Sequence, residues 1–99
     1  MYTIEYLGNG QPACITTFNG NGYNLIIATH EDELNTGHII TSRWMQTPEG
    51  AQVGDRRILR TYTDLAPDIA TLEGLHEQYL TTKGKELAVR ATFFQPNFQ

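Results

Sequence analysis

The chain holds one cysteine, Cys14, and one serine, Ser42, and its first 37 residues contain no lysine or arginine. A single thiol forms no internal disulfide, which accords with a reducing compartment. The lone serine lies in Thr41-Ser42-Arg43, outside any Gly-x-Ser-x-Gly elbow, so serine hydrolysis has no local support. Long apolar runs are missing too. A stretch such as Leu25-Ile26-Ile27-Ala28 is far below the length needed to cross a bilayer. Met1 leads directly into Tyr2-Thr3-Ile4-Glu5 rather than into a basic and then apolar signal segment, and the expectation is a soluble, cytoplasmic protein without membrane contact. There is no HExxH pattern, no cysteine pair and no calcium-loop pattern, so the reading assigns no metal site and no cofactor.

What is present suits one folded unit. Ninety-nine residues, 39% apolar and 18% charged, without low-complexity tracts or a dividing linker, make a single domain over residues 1–99. The net charge of −4 is unevenly spread. Residues 1–37 carry only acids (Glu5, Glu31, Asp32, Glu33), whereas residues 38–63 set Arg43, Arg56, Arg57 and Arg60 against Glu49 and Asp55. The last third is acidic again. An acidic chain is a poor general nucleic-acid binder, because phosphate attraction needs clustered cations, but a local arginine cluster can hold one anionic group.

Two Gly-Asn-Gly segments, residues 8–10 and 20–22, organise the N-terminal part. Asn-Gly tolerates the positive φ of tight hairpin turns, so three antiparallel strands are expected at Tyr2–Leu7, Ala13–Phe18 and Tyr23–His30. A two-residue Asn9-Gly10 turn and a second loop at Asn19–Gly22 would set Ile4, Ile15 and Ile26 side by side, with Glu5, Cys14 and Ile27 on the other face. Strand three, apolar at consecutive positions, reads as central and covered on both sides. A polar connection, Glu31–Gly37, leads to strand four at His38–Met45. A long mobile loop at Thr47–Asp55 then leads to strand five at Arg56–Thr63. From Asp64 the apolar period becomes helical: Leu65, Ile69, Leu72, Leu75 and Tyr79 recur at three- and four-residue steps. Asp64 is the expected N-cap, with Pro67 in the first turn and Lys83-Gly84 near the end. Glu86–Phe94 alternates and reads as a sixth strand, with continued helix as the alternative. The fold class is therefore α+β, a five- or six-stranded, mainly antiparallel sheet packed on one helix in the order β-β-β-β-β-α-β.

Chemistry-bearing residues concentrate in strands four and five. Arg43, Trp44, Arg57, Arg60 and Tyr62 form the candidate binding set, because forked guanidinium groups beside aromatic rings grip a phosphate or carboxylate bidentately and stack on a base or aromatic ring; the plainer alternative is solvated strand arginines paired with Glu31, Asp32, Glu49 or Asp55. Arg56 is expected to share a strand face with Ile58, Arg60 and Tyr62. No residue is assigned a catalytic role. Cys14, beside acidic and apolar neighbours, reads as a buried inert thiol, and His76 as a residue at the apolar margin of the helix. The functional expectation is a small binding protein of inhibitor, adaptor or regulator type that recognises a protein partner or small anionic ligand. Two alternatives stand beside it. One is a small hydrolase or isomerase pairing His30 or His38 with Glu31, Asp32 or Glu33; the other is an oligomeric subunit joined through an edge strand, Tyr2–Leu7 or Glu86–Phe94.

Overall fold

The computed structural model describes residues 2–93, with side chains described for residues 2–83. Five strands, β1 (Thr3–Tyr6), β2 (Pro12–Asn19), β3 (Asn24–Glu31), β4 (Ile39–Gln46) and β5 (Gln52–Tyr62), precede one helix, α1 (Ile69–Phe93). The sheet is an antiparallel meander in chain order, β1-β2-β3-β4-β5. This is the α+β arrangement read from the sequence, with five strands.

Both Asn-Gly turns form, and the second glycine of each takes the left-handed conformation that glycine alone adopts without strain (Gly10 φ 85°, Gly22 φ 88°). Their lengths differ. The first hairpin closes through Leu7 N–H to the Gln11 carbonyl, which leaves three residues in the loop, whereas Gly20 N–H to the Tyr23 carbonyl leaves the two residues Asn21 and Gly22. The extra residue in the first loop moves β1 by one position. Ile4 consequently stands opposite Cys14, not Ile15, and Glu5 opposite Ala13. A one-residue slip exchanges the faces of a strand, so Ile4 joins the helix-facing side and Glu5 leaves it. β3 is buried at six consecutive positions, Leu25 to His30, as a central strand covered on both sides requires.

Three further boundaries differ from expectation. The segment expected as a long loop is a tight turn: Thr47 N–H reaches the Ala51 carbonyl and Gly50 N–H the Thr47 carbonyl, both at 2.9 Å, and β5 starts at Gln52. The N-cap of α1 is Asp68, not Asp64. Its Oδ1 accepts the Thr71 backbone N–H at 2.8 Å, so Pro67 precedes the helix. Residues 86–93 continue the helix rather than forming a sixth strand. Phe94 and the tail lie outside the described residues.

The core lies between the sheet and α1, which packs on β2 and β3. Cys14, Ile39 and Leu72 form one buried cluster with Tyr2, Ile4, Tyr62 and Leu75 around it. Leu25, Ile27 and Met45 form another, flanked by Phe18, Tyr79 and Leu80. Between them sits His76, fully buried, with Nε2 2.8 Å from Thr16 Oγ1 and Nδ1 2.8 Å from Thr29 Oγ1. The margin residue of the sequence reading is thus an interior one. α1 lies over β2 and β3 and reaches β4 at Ile39 and Met45, so that the same face of β5 is left beside the helix rather than beneath it.

Candidate functional site

The five residues of the candidate set divide between the two faces of the β4–β5 ribbon, because successive strand side chains point to opposite sides. Arg43 and Arg57 are directly opposite each other in the register and share the helix-side face. Trp44 and Arg60 belong to the other face. There the Arg56 guanidinium lies 4.5 Å from the centre of the Trp44 ring. Arg60 Nε donates to Asp32 Oδ2 at 2.9 Å.

Tyr62 is also displaced from its expected neighbours. An irregularity between Ile39 and Ile40 pairs Ile39 with Tyr62 but Ile40 with Arg60, which inserts one extra residue into β5. The insertion turns Tyr62 from the Arg60 side to the helix side, where it packs beside Ile39 and Leu72. One face therefore collects Arg43, Arg57 and Tyr62, and the other Trp44, Arg56 and Arg60.

On the helix side, Arg43, Arg57, Leu59, Tyr79 and Lys83 line a depression of about 200 Å³. It adjoins a groove of about 180 Å³ between β5 and α1, walled by Ile39, Leu59, Tyr62, Leu75 and Tyr79 with Lys83 at its rim. Leu59, Tyr79 and Lys83 line both, so the two adjoin, the first with Arg43 and Arg57 in its lining and the second lined mainly by apolar groups. Among the described residues the single ion pair is Arg60–Asp32. Arg43, Arg57 and Lys83 form no ion pair within that set. Lys83 and Leu59 were not singled out in the sequence; a cation a turn beyond Tyr79 on the apolar stripe was the available signal.

On the opposite face Arg60 is paired with Asp32, while Ser42 Oγ and His38 Nδ1 are buried without a hydrogen-bond partner among the described residues. Asp32 accepts from Arg60 and, at 3.0 Å, from the Leu34 backbone N–H, and these bonds hold its carboxyl below the usual carboxylate range. Glu31 Oε2 accepts from Gly37 N–H, and His30 Nδ1–H donates to the Glu31 carbonyl at 2.7 Å. His30, Asp32 and Glu33 do line a common depression of about 380 Å³ with Arg56 and Arg60. Its carboxylate nearest a cation is committed to Arg60, and no His–carboxylate hydrogen bond forms among the described residues. Three His, Cys, Asp or Glu side chains converge nowhere among the described residues as a metal site. Cys14 is fully buried against Ile4 and Thr29, not Glu5, and burial, followed by the charges of Glu73 and Glu77, pushes its thiol up to about 11.

No helix among the described residues is long and apolar enough to cross a membrane. Comparison with protein-family models, with curated protein sequences and with solved structures gave no match.

Proposed function

We propose that this chain is a non-catalytic binding protein whose groove between β5 and α1 receives an acidic segment of a partner protein. The observation that carries this reading is the Arg43–Arg57 pair. Like charges directly opposite on neighbouring strands destabilise a sheet, and neither arginine forms an ion pair among the described residues. A carboxylate supplied from outside relieves them, and guanidinium forks bind it bidentately. The apolar groove adjoining the depression that holds the pair favours a segment with side chains over a bare anion, which would leave Leu59, Tyr62 and Tyr79 uncovered. Arginine and tyrosine beside a small apolar pocket are also the residue types that concentrate binding energy at protein interfaces.

The test is titration of the whole protein with a fluorescent peptide, acetyl-Thr-Thr-Val-Val-Glu-Glu-Thr-Thr-amide, against the Arg43→Ala/Arg57→Ala variant. Binding by the parent and its loss in the double variant support the groove; equal binding by both removes it.

A further inference from the structure

β5 ends the sheet, so one side of its eleven residues has no strand partner among the described residues. Sheets usually protect such an edge. At the opposite end β1 does so by being only four residues long. β5 is the longest strand, contains no proline, and is exposed along nearly its whole length, including Ile58 at 43% and Leu59 at 48%. Irregular pairing with β4 interrupts β5 before Arg57 and after Arg60, and the unbroken stretch Arg57–Arg60 presents alternate N–H and C=O groups as a template for another strand.

Its charge selects the strand that fits. β5 carries Arg56, Arg57 and Arg60 against the single acid Asp55. Two copies of β5 placed edge to edge bring an excess of arginine against arginine, which disfavours pairing of this chain with itself. An acidic strand meets the opposite sign. Resting on the groove reading above, we infer that the acidic segment binds as an extended strand added to the free edge of β5, the recognition mode in which main-chain hydrogen bonds give affinity and alternate side chains give specificity.

The order of residues along β5 then defines the ligand. Arg56 and Arg57 are followed by Ile58 and Leu59; the register puts Arg57 and Leu59 on the groove side and Ile58 on the face where Arg56 stacks on Trp44, with Ile58 at the edge lining the depressions of both faces. An added strand running antiparallel, as every other pair in this sheet does, presents two apolar residues followed by two acids. The acid opposite Arg57 lies beside the Arg43–Arg57 pair, and the apolar residue opposite Leu59 enters the groove toward Tyr79. The acid opposite Arg56 meets the cation stacked on Trp44.

The experiment uses the same peptide and two N-methylated versions, each methylated at one set of alternate residues. In an added strand only one set of N–H groups points at β5. One methylated peptide is therefore expected to lose at least about tenfold in affinity while the other stays within about threefold of the parent, and backbone amides within Gln52–Tyr62 gain protection from hydrogen exchange on binding. If the parent binds through Arg43 and Arg57 but both methylated peptides match it and no β5 amide gains protection, strand addition is overturned and the groove reading survives. If the parent peptide does not bind, both fall. Sedimentation supplies a further check: a dimer of the protein that protects the β5 amides and persists with the peptide bound would show that the edge is taken by a second copy and overturn the inference.

Discussion

The Thr29 hydroxyl lies 2.8 Å from His76 Nδ1, joining the central strand to the middle of the helix inside the core. The link extends on both sides, from His76 Nε2 to Thr16 Oγ1 and from Thr29 to the Thr41 hydroxyl at 2.9 Å. A neutral imidazole donates from one nitrogen and accepts at the other, and each meets a hydroxyl that can do either. Thr29→Val keeps the shape but leaves one ring nitrogen unpaired in the interior. The expected cost is about 1–3 kcal/mol in a denaturant titration, whereas an exposed threonine such as Thr61 changed to Val should stay within about 0.5 kcal/mol.

The same contacts make stability depend on pH. Burial lowers the His76 pKa from 6.5 to about 4. Between those values the unfolded chain binds the proton and the folded chain does not, so stability falls as the pH drops from about 6.5 towards 4 and is fully retained above that window. The contribution is roughly 2–3 kcal/mol. In a His76→Gln variant the slope of unfolding free energy against pH across the upper part of this window should flatten; an unchanged slope would mean that another group governs it.

Cys14 gives a probe of core integrity. With its thiol fully buried and raised to about 11, an aromatic disulfide reagent at mildly alkaline pH should leave the native protein unlabelled and react only after denaturation. Rapid stoichiometric labelling of the folded protein would contradict the packing of β2 under Leu72.

Arg60 and Asp32 form the committed ion pair of the other face. In Arg60→Ala the Asp32 carboxyl should titrate closer to the ordinary range, visible as a rise in the midpoint of its carboxyl carbon shift. Because a depressed carboxylate stabilises the fold above its unfolded pKa and loses that contribution as pH falls through the folded value, the variant should lose it at a higher pH than the parent. Peptide affinity should change little, since this arginine is already engaged.

Which features were legible depended on whether the deciding interaction was local. The Asn-Gly turns, the central β3 and the helical period of Leu72, Leu75 and Tyr79 were readable because each is set within a few residues. Loop length was not: Gly8-Asn9-Gly10 serves as a two- or three-residue loop, and the difference of one residue reversed Ile4 and Glu5. Asp64 and Asp68 are both good caps, and only the chain's path from β5 decides between them. Over residues 86–93, Glu86, Leu87, Ala88, Arg90 and Ala91 are strong helix formers, and that preference outweighed the alternation that suggested a strand. The candidate residues lie on one ribbon but were treated as one patch, and they divide between its two faces. Period two separates Arg43 from Trp44 and Arg57 from Arg60 from sequence alone, while the position of Tyr62 depends on an irregular pairing that no local pattern announces.

The most direct measurement is the affinity of the Val-Val-Glu-Glu peptide for the parent protein, for Arg43→Ala/Arg57→Ala and for Arg60→Ala at fixed low salt, with thermal unfolding checked for each. The expected result is a loss of at least about tenfold in the double variant and less than about threefold in Arg60→Ala, with parent binding weakened by added salt. Equal affinity for the parent and the double variant, both folded, would contradict the assignment of the paired arginines to binding.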